Sequence, residues 1–127
     1  MGGLKEANQF TQIPWVRRQF IEKLSIDPYP GTLNLQIHDL DSLRAYQDLK
    51  KREGIEIVPE DPSFCRARCY PVLIHQRLRG AIVLPLVEHY PENKVELIAS
   101  QKIQTSLSLK EGDEIEIEVL LYPSFSQ

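Results

Sequence analysis

Thr32 and Asn34 stand two residues apart in the stretch PYPGTLNLQI, Pro28 to Ile37. Side chains at that spacing point to one face of a strand, so a hydroxyl and a carboxamide oxygen project side by side. Leu33, Leu35 and Ile37 take the opposite, core-directed face. Neutral oxygen donors of this kind suit a hard cation such as Mg²⁺, which keeps waters and shares its other positions with substrate phosphates. The segment ahead of them is stiff. Pro28 and Pro30 fix two φ angles, and Gly31 supplies freedom at the one position where the chain must turn. The same pattern also describes a Pro-Gly turn leading into a half-buried strand with a polar outer face.

Other chemistry-bearing residues are sparse. Cys65 and Cys69 form a lone C-x3-C pair. With alternating side chains they share a strand face, and with no second ligand cluster they read as reduced, partly buried thiols. His38, His75 and His89 show no metal-binding spacing. Basic residues gather at Arg17 and Arg18, at Lys50 to Arg52, at Arg66 and Arg68, and at Arg77 and Arg79, mostly as solvated faces. The net charge of −3 argues against a broad nucleic-acid footprint. No apolar run approaches the ~20 residues that span a bilayer. The N-terminus lacks the basic and apolar regions of a signal peptide, so a cytoplasmic protein is expected.

The elements that must position these residues follow from periodicity. In IPWVRRQFIEKL, Pro14 suits a first helical position, and Ile13, Val16, Phe20 and Leu24 recur at helical spacing. DLDSLRAYQDLKKREG reads as a second helix, with Asp39 or Asp41 as cap, Leu43, Tyr46 and Leu49 inward, and Gly54 as a stop. GIEIV, SFCRARCYPVLI, LRGAIVLPL and KVELIA read as strands. SQKIQTSLSL reads as a short helix capped by Ser100, with Ile103 and Leu107 inward. The last element, EGDEIEIEVLL, is a turn and a strand with Ile115, Ile117, Val119 and Leu121 on one face. Short strands interrupted by two or three short helices predict a small, mainly β barrel. One domain over residues 1–127 is expected at this length.

The order QFIEKLSIDPYPGTLNLQI, CRARCYPVLI, GAIVLPLVEHYPENKVELIAS and SLSLKEGDEIEIEV resembles the archaeal-type CTP-dependent riboflavin kinases, from about Gly3 to Val119. The PGTLN motif is the most specific part. The resemblance implies a six-stranded cradle-loop barrel that moves the terminal phosphoryl group of CTP to riboflavin, giving FMN and CDP. It further implies that Thr32 and Asn34 hold Mg²⁺ and that Glu96 contacts the flavin. Two nucleotide-binding segments are implied, at Gly3, Leu4, Lys5, Glu6, Ala7 and Asn8, and at Gln101, Lys102, Ile103 and Gln104. Backbone N–H groups in such segments suit phosphate or base recognition.

Four positions depart from the family pattern. Lys5 and Ala7 stand where glycines are usual, Glu88 stands where a flavin-contacting threonine is usual, and Gln104 stands where an arginine is common. A side chain in the loop limits close approach of the backbone to a nucleotide. Glu88 would put a second carboxylate near Glu96. These departures motivate an alternative, a catalytically inactive flavin- or nucleotide-binding barrel. A DNA-binding barrel module is the third reading, from the terminal LKEGDEIEI pattern, and the acidic balance opposes it.

Overall fold

Helix α1 spans Pro14–Leu24, with Pro14 in its first turn as expected. It ends at Ser25, whose left-handed φ of 59° lets the backbone N–H groups of Ser25 and Ile26 return to Ile21 and Phe20. The structure is a computed structural model and describes residues 10–120. Next come β1 (Leu33–Gln36), α2 (Leu40–Leu49), β2 (Ile55–Ile57), β3 (Ala67–Ile74), β4 (Leu78–Pro85) and β5 (Lys94–Ala99). A single helical turn, α3 (Ile103–Ser106), precedes the last described strand, β6 (Ile117–Val119). Residues 10–12, just ahead of α1, are helical too. Of the two expected candidates Asp39 is the cap of α2, its Oδ2 accepting from the Ser42 N–H at 2.8 Å, and Asp41 lies in the first turn. That bond holds the Asp39 carboxyl below the usual carboxylate range.

The six strands form one antiparallel sheet in the order β1-β5-β4-β3-β2, with β6 also on β3. Ile55–Ile57 pairs with Ala67–Cys69, and Ile117–Val119 pairs with Val72–Ile74. Successive halves of one edge of β3 therefore carry different strands, and the sheet curls into a half-barrel. Pro71 lies at the junction. Its carbonyl accepts from Leu120 N–H at 2.9 Å, so its missing N–H also faces the β2/β6 side and the β4 ladder loses no bond.

Both faces of the sheet are covered. Val16, Phe20 and Leu24 of α1 pack on Ile57, Cys69, Val83 and Ile98. On the inner face, Tyr46 and Leu49 of α2 close over Tyr70, Val72, Ile82, Val95 and Leu97. A sheet buried on two sides explains the unbroken apolar run of β4, from Gly80 to Leu84. At Gly80 an added Cβ would lie 2.4 Å from the Ile98 carbonyl oxygen and 3.1 Å from Ile74 Cδ1. Gly80→Ala is expected to cost about 2 kcal/mol through forced separation of β4 and β5, read from the urea midpoint. An unchanged midpoint would mean that β5 yields freely.

Three expectations need correction. β3 begins at Ala67, so Cys65 lies ahead of the strand and is exposed, while Cys69 is buried within it. The two thiols do not share a strand face. The cap of α3 is Lys102, with no side-chain cap bond, and Ser100 lies outside the helix in a bend. A one-turn helix anchored by buried Ile103 starts where the tertiary contact is, not where a serine would cap a longer one. The final strand covers only Ile117–Val119; Ile115 packs inward from the preceding loop, and Leu121 lies outside the described residues.

Candidate functional site

On the face that α1 covers, Val83 and Ile98 are apolar, but toward the β1 edge the surface turns polar. Antiparallel pairing puts Asn34 opposite Glu96 and Gln36 opposite Lys94. Thr32, just before β1, donates its hydroxyl proton to Glu96 Oε1 at 3.0 Å. The Tyr90 phenol donates to the other carboxylate oxygen, Oε2, at 2.5 Å. The Lys94 ammonium lies 3.9 Å from the same Oε2 and 5.5 Å from the Tyr90 ring centroid. Glu96 is only 15% exposed at its side chain, and each of its oxygens has a hydroxyl donor. Burial and the neighbouring Glu96 carboxylate push the Tyr90 phenol far above its ordinary value, so it stays a donor. Burial, then the same carboxylate, pushes Tyr46 up to about 12, with its hydroxyl on the Lys94 carbonyl at 3.0 Å.

The turn carrying Thr32 is held by three hydrogen bonds. Tyr29 N–H donates to the Ala99 carbonyl at 2.8 Å, and Gln12 Nε2 donates to the Pro28 carbonyl at 3.0 Å. Gly31 N–H donates to Oγ1 of fully buried Thr11 at 2.9 Å. Gly31 has a φ of 90°, the conformation that only glycine adopts without strain. The stiffness expected from Pro28, Pro30 and Gly31 is thus completed by Thr11 and Gln12, whose types and spacing carried no signal.

Thr32 lines a cleft of about 390 Å³ together with Tyr29, Gly31, Gln101, Lys102 and Gln104. The segment Gln101–Gln104 and the PGTLN turn, separate in the chain, therefore share one wall. Gln101 Oε1 accepts from Ser106 Oγ at 2.7 Å, and Ile103 is buried, so from that residue only backbone is offered. Asn34 lies at the edge of a second cleft of about 650 Å³, floored by Leu49, Ile82 and Val95 and rimmed by Asp39 and Asp113. The β1 segment borders both, with Thr32 and Leu33 on the first and Asn34 to Gln36 on the second. Glu88 is exposed in the turn between β4 and β5 and makes no hydrogen bond to Glu96. Gly3, Leu4, Lys5, Glu6, Ala7 and Asn8 lie outside the described residues. Tyr90 carries no signal of type or spacing in the sequence, and its place at the carboxylate comes from the return of the chain between β4 and β5.

The oxygen donors fit a hard cation. Thr32 gives its proton to Glu96, leaving its lone pairs free, and the exposed Asn34 amide stands across from the same carboxylate. Among the described residues there is no cluster of three His, Cys, Asp or Glu able to hold a metal. Two neutral protein donors match a cation held mainly by waters and phosphates rather than by a protein cage. The thiols are not part of this arrangement. Burial raises Cys69 to about 12, and Cys65 is exposed. A disulfide reagent at pH 8 is expected to titrate one thiol in the native protein and two in denaturant; two native thiols would place Cys69 within reach of solvent.

The fold and this edge define a small half-barrel domain with a hydroxyl–carboxylate–amide cluster beside a cleft. The family model for CTP-dependent riboflavin kinases, described as domain of unknown function DUF120, matches residues 1–119. The chain belongs to this family. It is 38% identical over 122 residues to a riboflavin kinase of Archaeoglobus fulgidus, covering 94% of this chain and 52% of that protein. It is 35% identical over 121 residues to a riboflavin kinase of Methanosarcina barkeri, covering 92% and 52%. With a riboflavin kinase of Sulfurisphaera tokodaii the identity is 37% over 123 residues, covering 94% and 90%. The chain thus spans about half the length of the first two relatives and nine-tenths of the third. Among the described residues no helix is long and apolar enough to cross a membrane.

Proposed function

We propose that this chain is a CTP-dependent riboflavin kinase. The ribityl primary hydroxyl of riboflavin attacks the γ-phosphorus of CTP, the bond from that phosphorus to the β–γ bridging oxygen breaks, and FMN and CDP form with release of the hydroxyl proton. The observation that carries this reading is the Thr32–Glu96 hydrogen bond. It joins the residue expected at the metal to the residue expected at the flavin, beside the cleft that Gln101–Gln104 lines.

In this arrangement the nucleotide occupies the 390 Å³ cleft, with the Gln101–Gln104 segment along its base or sugar and its phosphates toward Thr32. Glu88 and Glu96 are assigned to the flavin, and Gly3 to Asn8 are assigned to the nucleotide as its second binding segment. Thr32 and Asn34 would hold Mg²⁺, which when bound neutralises charge on the β- and γ-phosphate oxygens. Phosphoryl transfer asks little covalent work of protein groups, so the turn and the strand act chiefly by alignment. A turn pinned by Thr11, Gln12 and the Ala99 carbonyl suits that task.

The test is chromatographic detection of FMN from riboflavin and Mg²⁺, with CTP, ATP or no nucleotide in parallel. FMN is expected with CTP. Absence of FMN with every nucleotide, from protein shown to be folded, would overturn the reading; FMN with ATP alone would overturn the choice of donor.

A further inference from the structure

We propose that Glu96 serves the cation site through Thr32, and that Tyr90 is the positioning residue that makes it do so. The inference rests on the functional reading above and adds to the flavin contact expected of Glu96. A hydroxyl has one proton and two lone pairs. Where the proton is committed to a carboxylate, the lone pairs are directed elsewhere and gain basicity, as when outer carboxylates orient metal-bound side chains. Glu96 Oε1 is that acceptor for Thr32.

The carboxylate could rotate about its own axis and present a different oxygen. Tyr90 prevents this by donating to Oε2 while Thr32 donates to Oε1, and Lys94 stands on the Tyr90 side. The three side chains form a chain from the turn after β4, through β5, to the residue ahead of β1. Asn34 is paired with Glu96 across the strands, so the two oxygen donors and their support share one register. The half-buried, well-partnered position of Glu96 holds this arrangement in place without a metal ligand of its own.

The experiment measures Mn²⁺ binding by the loss of the free-ion electron paramagnetic resonance signal, with saturating CDP, for wild type, Tyr90→Phe and Glu96→Gln. Thermal melts confirm folding, and if one variant does not fold the other decides. Tyr90→Phe is expected to weaken Mn²⁺ binding about tenfold. The Mg²⁺ concentration for half-maximal FMN formation should rise by a similar factor, with the riboflavin KM changed by less than about twofold. Unchanged Mn²⁺ affinity in the folded variants would overturn the inference, and a higher riboflavin KM alone would assign Tyr90 to the flavin. If wild type binds Mn²⁺ with CDP in a Tyr90-dependent way yet forms no FMN, the cation-site inference stands and the kinase reading falls. No Mn²⁺ binding by wild type would overturn the inference itself.

Discussion

Asn34→Ala is expected to lower CTP-dependent FMN formation by about 10³-fold, the scale set by removing one charge-stabilising contact from a preorganised site. Its thermal midpoint should stay close to that of wild type. The Asn34 side chain is exposed on β1 and has no hydrogen-bond partner among the described residues, so truncation removes nothing from the fold. In the proposed reading this exposed amide, opposite the half-buried Glu96 carboxylate, serves the cation. Thr32→Ala should lose activity to a similar degree with a small loss of stability, because it also removes the hydrogen bond to Glu96. Chromatographic FMN assays with circular-dichroism melts check both variants. Near-normal turnover in either would remove that residue from the cation site.

The largest effect on stability is expected at Phe20. Its ring is fully buried between α1 and the sheet, with Ile57, Cys69, Val83 and Ile98 in the same cluster. Phe20→Ala removes the largest fully buried side chain that α1 sets on the sheet face, and β3 and β4 cannot collapse into the space without breaking their ladder. The expected cost is about 4 kcal/mol, the transfer and cavity contributions together. For a chain of this length that corresponds to a fall in Tm of about 15 °C. Urea denaturation at constant m-value measures it. A loss of less than about 1 kcal/mol would mean that α1 repacks, and that its ties to β2 carry the helix instead. Lys23 Nζ donates to the Glu56 carbonyl of β2 at 2.7 Å, and just past the strand the Gln19 amide exchanges two 2.8 Å hydrogen bonds with the Val58 backbone.

Much of this architecture was written locally. Alternation at Thr32–Ile37 marked β1 and its polar face, Pro14 and the spacing of Val16, Phe20 and Leu24 marked α1, and Asp39 or Asp41 marked the start of α2, where Asp39 is the cap. These signals depend on residues within one or two turns of each other, where side-chain direction is set by backbone period alone. The apolar run of β4 and the KVELIA stretch of β5 also marked strands locally. Local signals misled at Ser100 and at Cys65, where long-range packing sets where an element begins.

The site itself is a product of register. Thr32 and Glu96 are 64 residues apart, and nothing in either stretch says that the hydroxyl and the carboxylate meet. The family resemblance named both residues with separate ligands; the pairing of β1 with β5 brought them within 3.0 Å. Tyr90 acquired its place because the β4–β5 turn returns its phenol to a strand six residues further on. Buried Thr11 took hold of Gly31 in the same way, through a contact that no periodicity encodes. Period-two and helical patterns tell which face a residue occupies, whereas the neighbour it meets there depends on the whole sheet closing in one register.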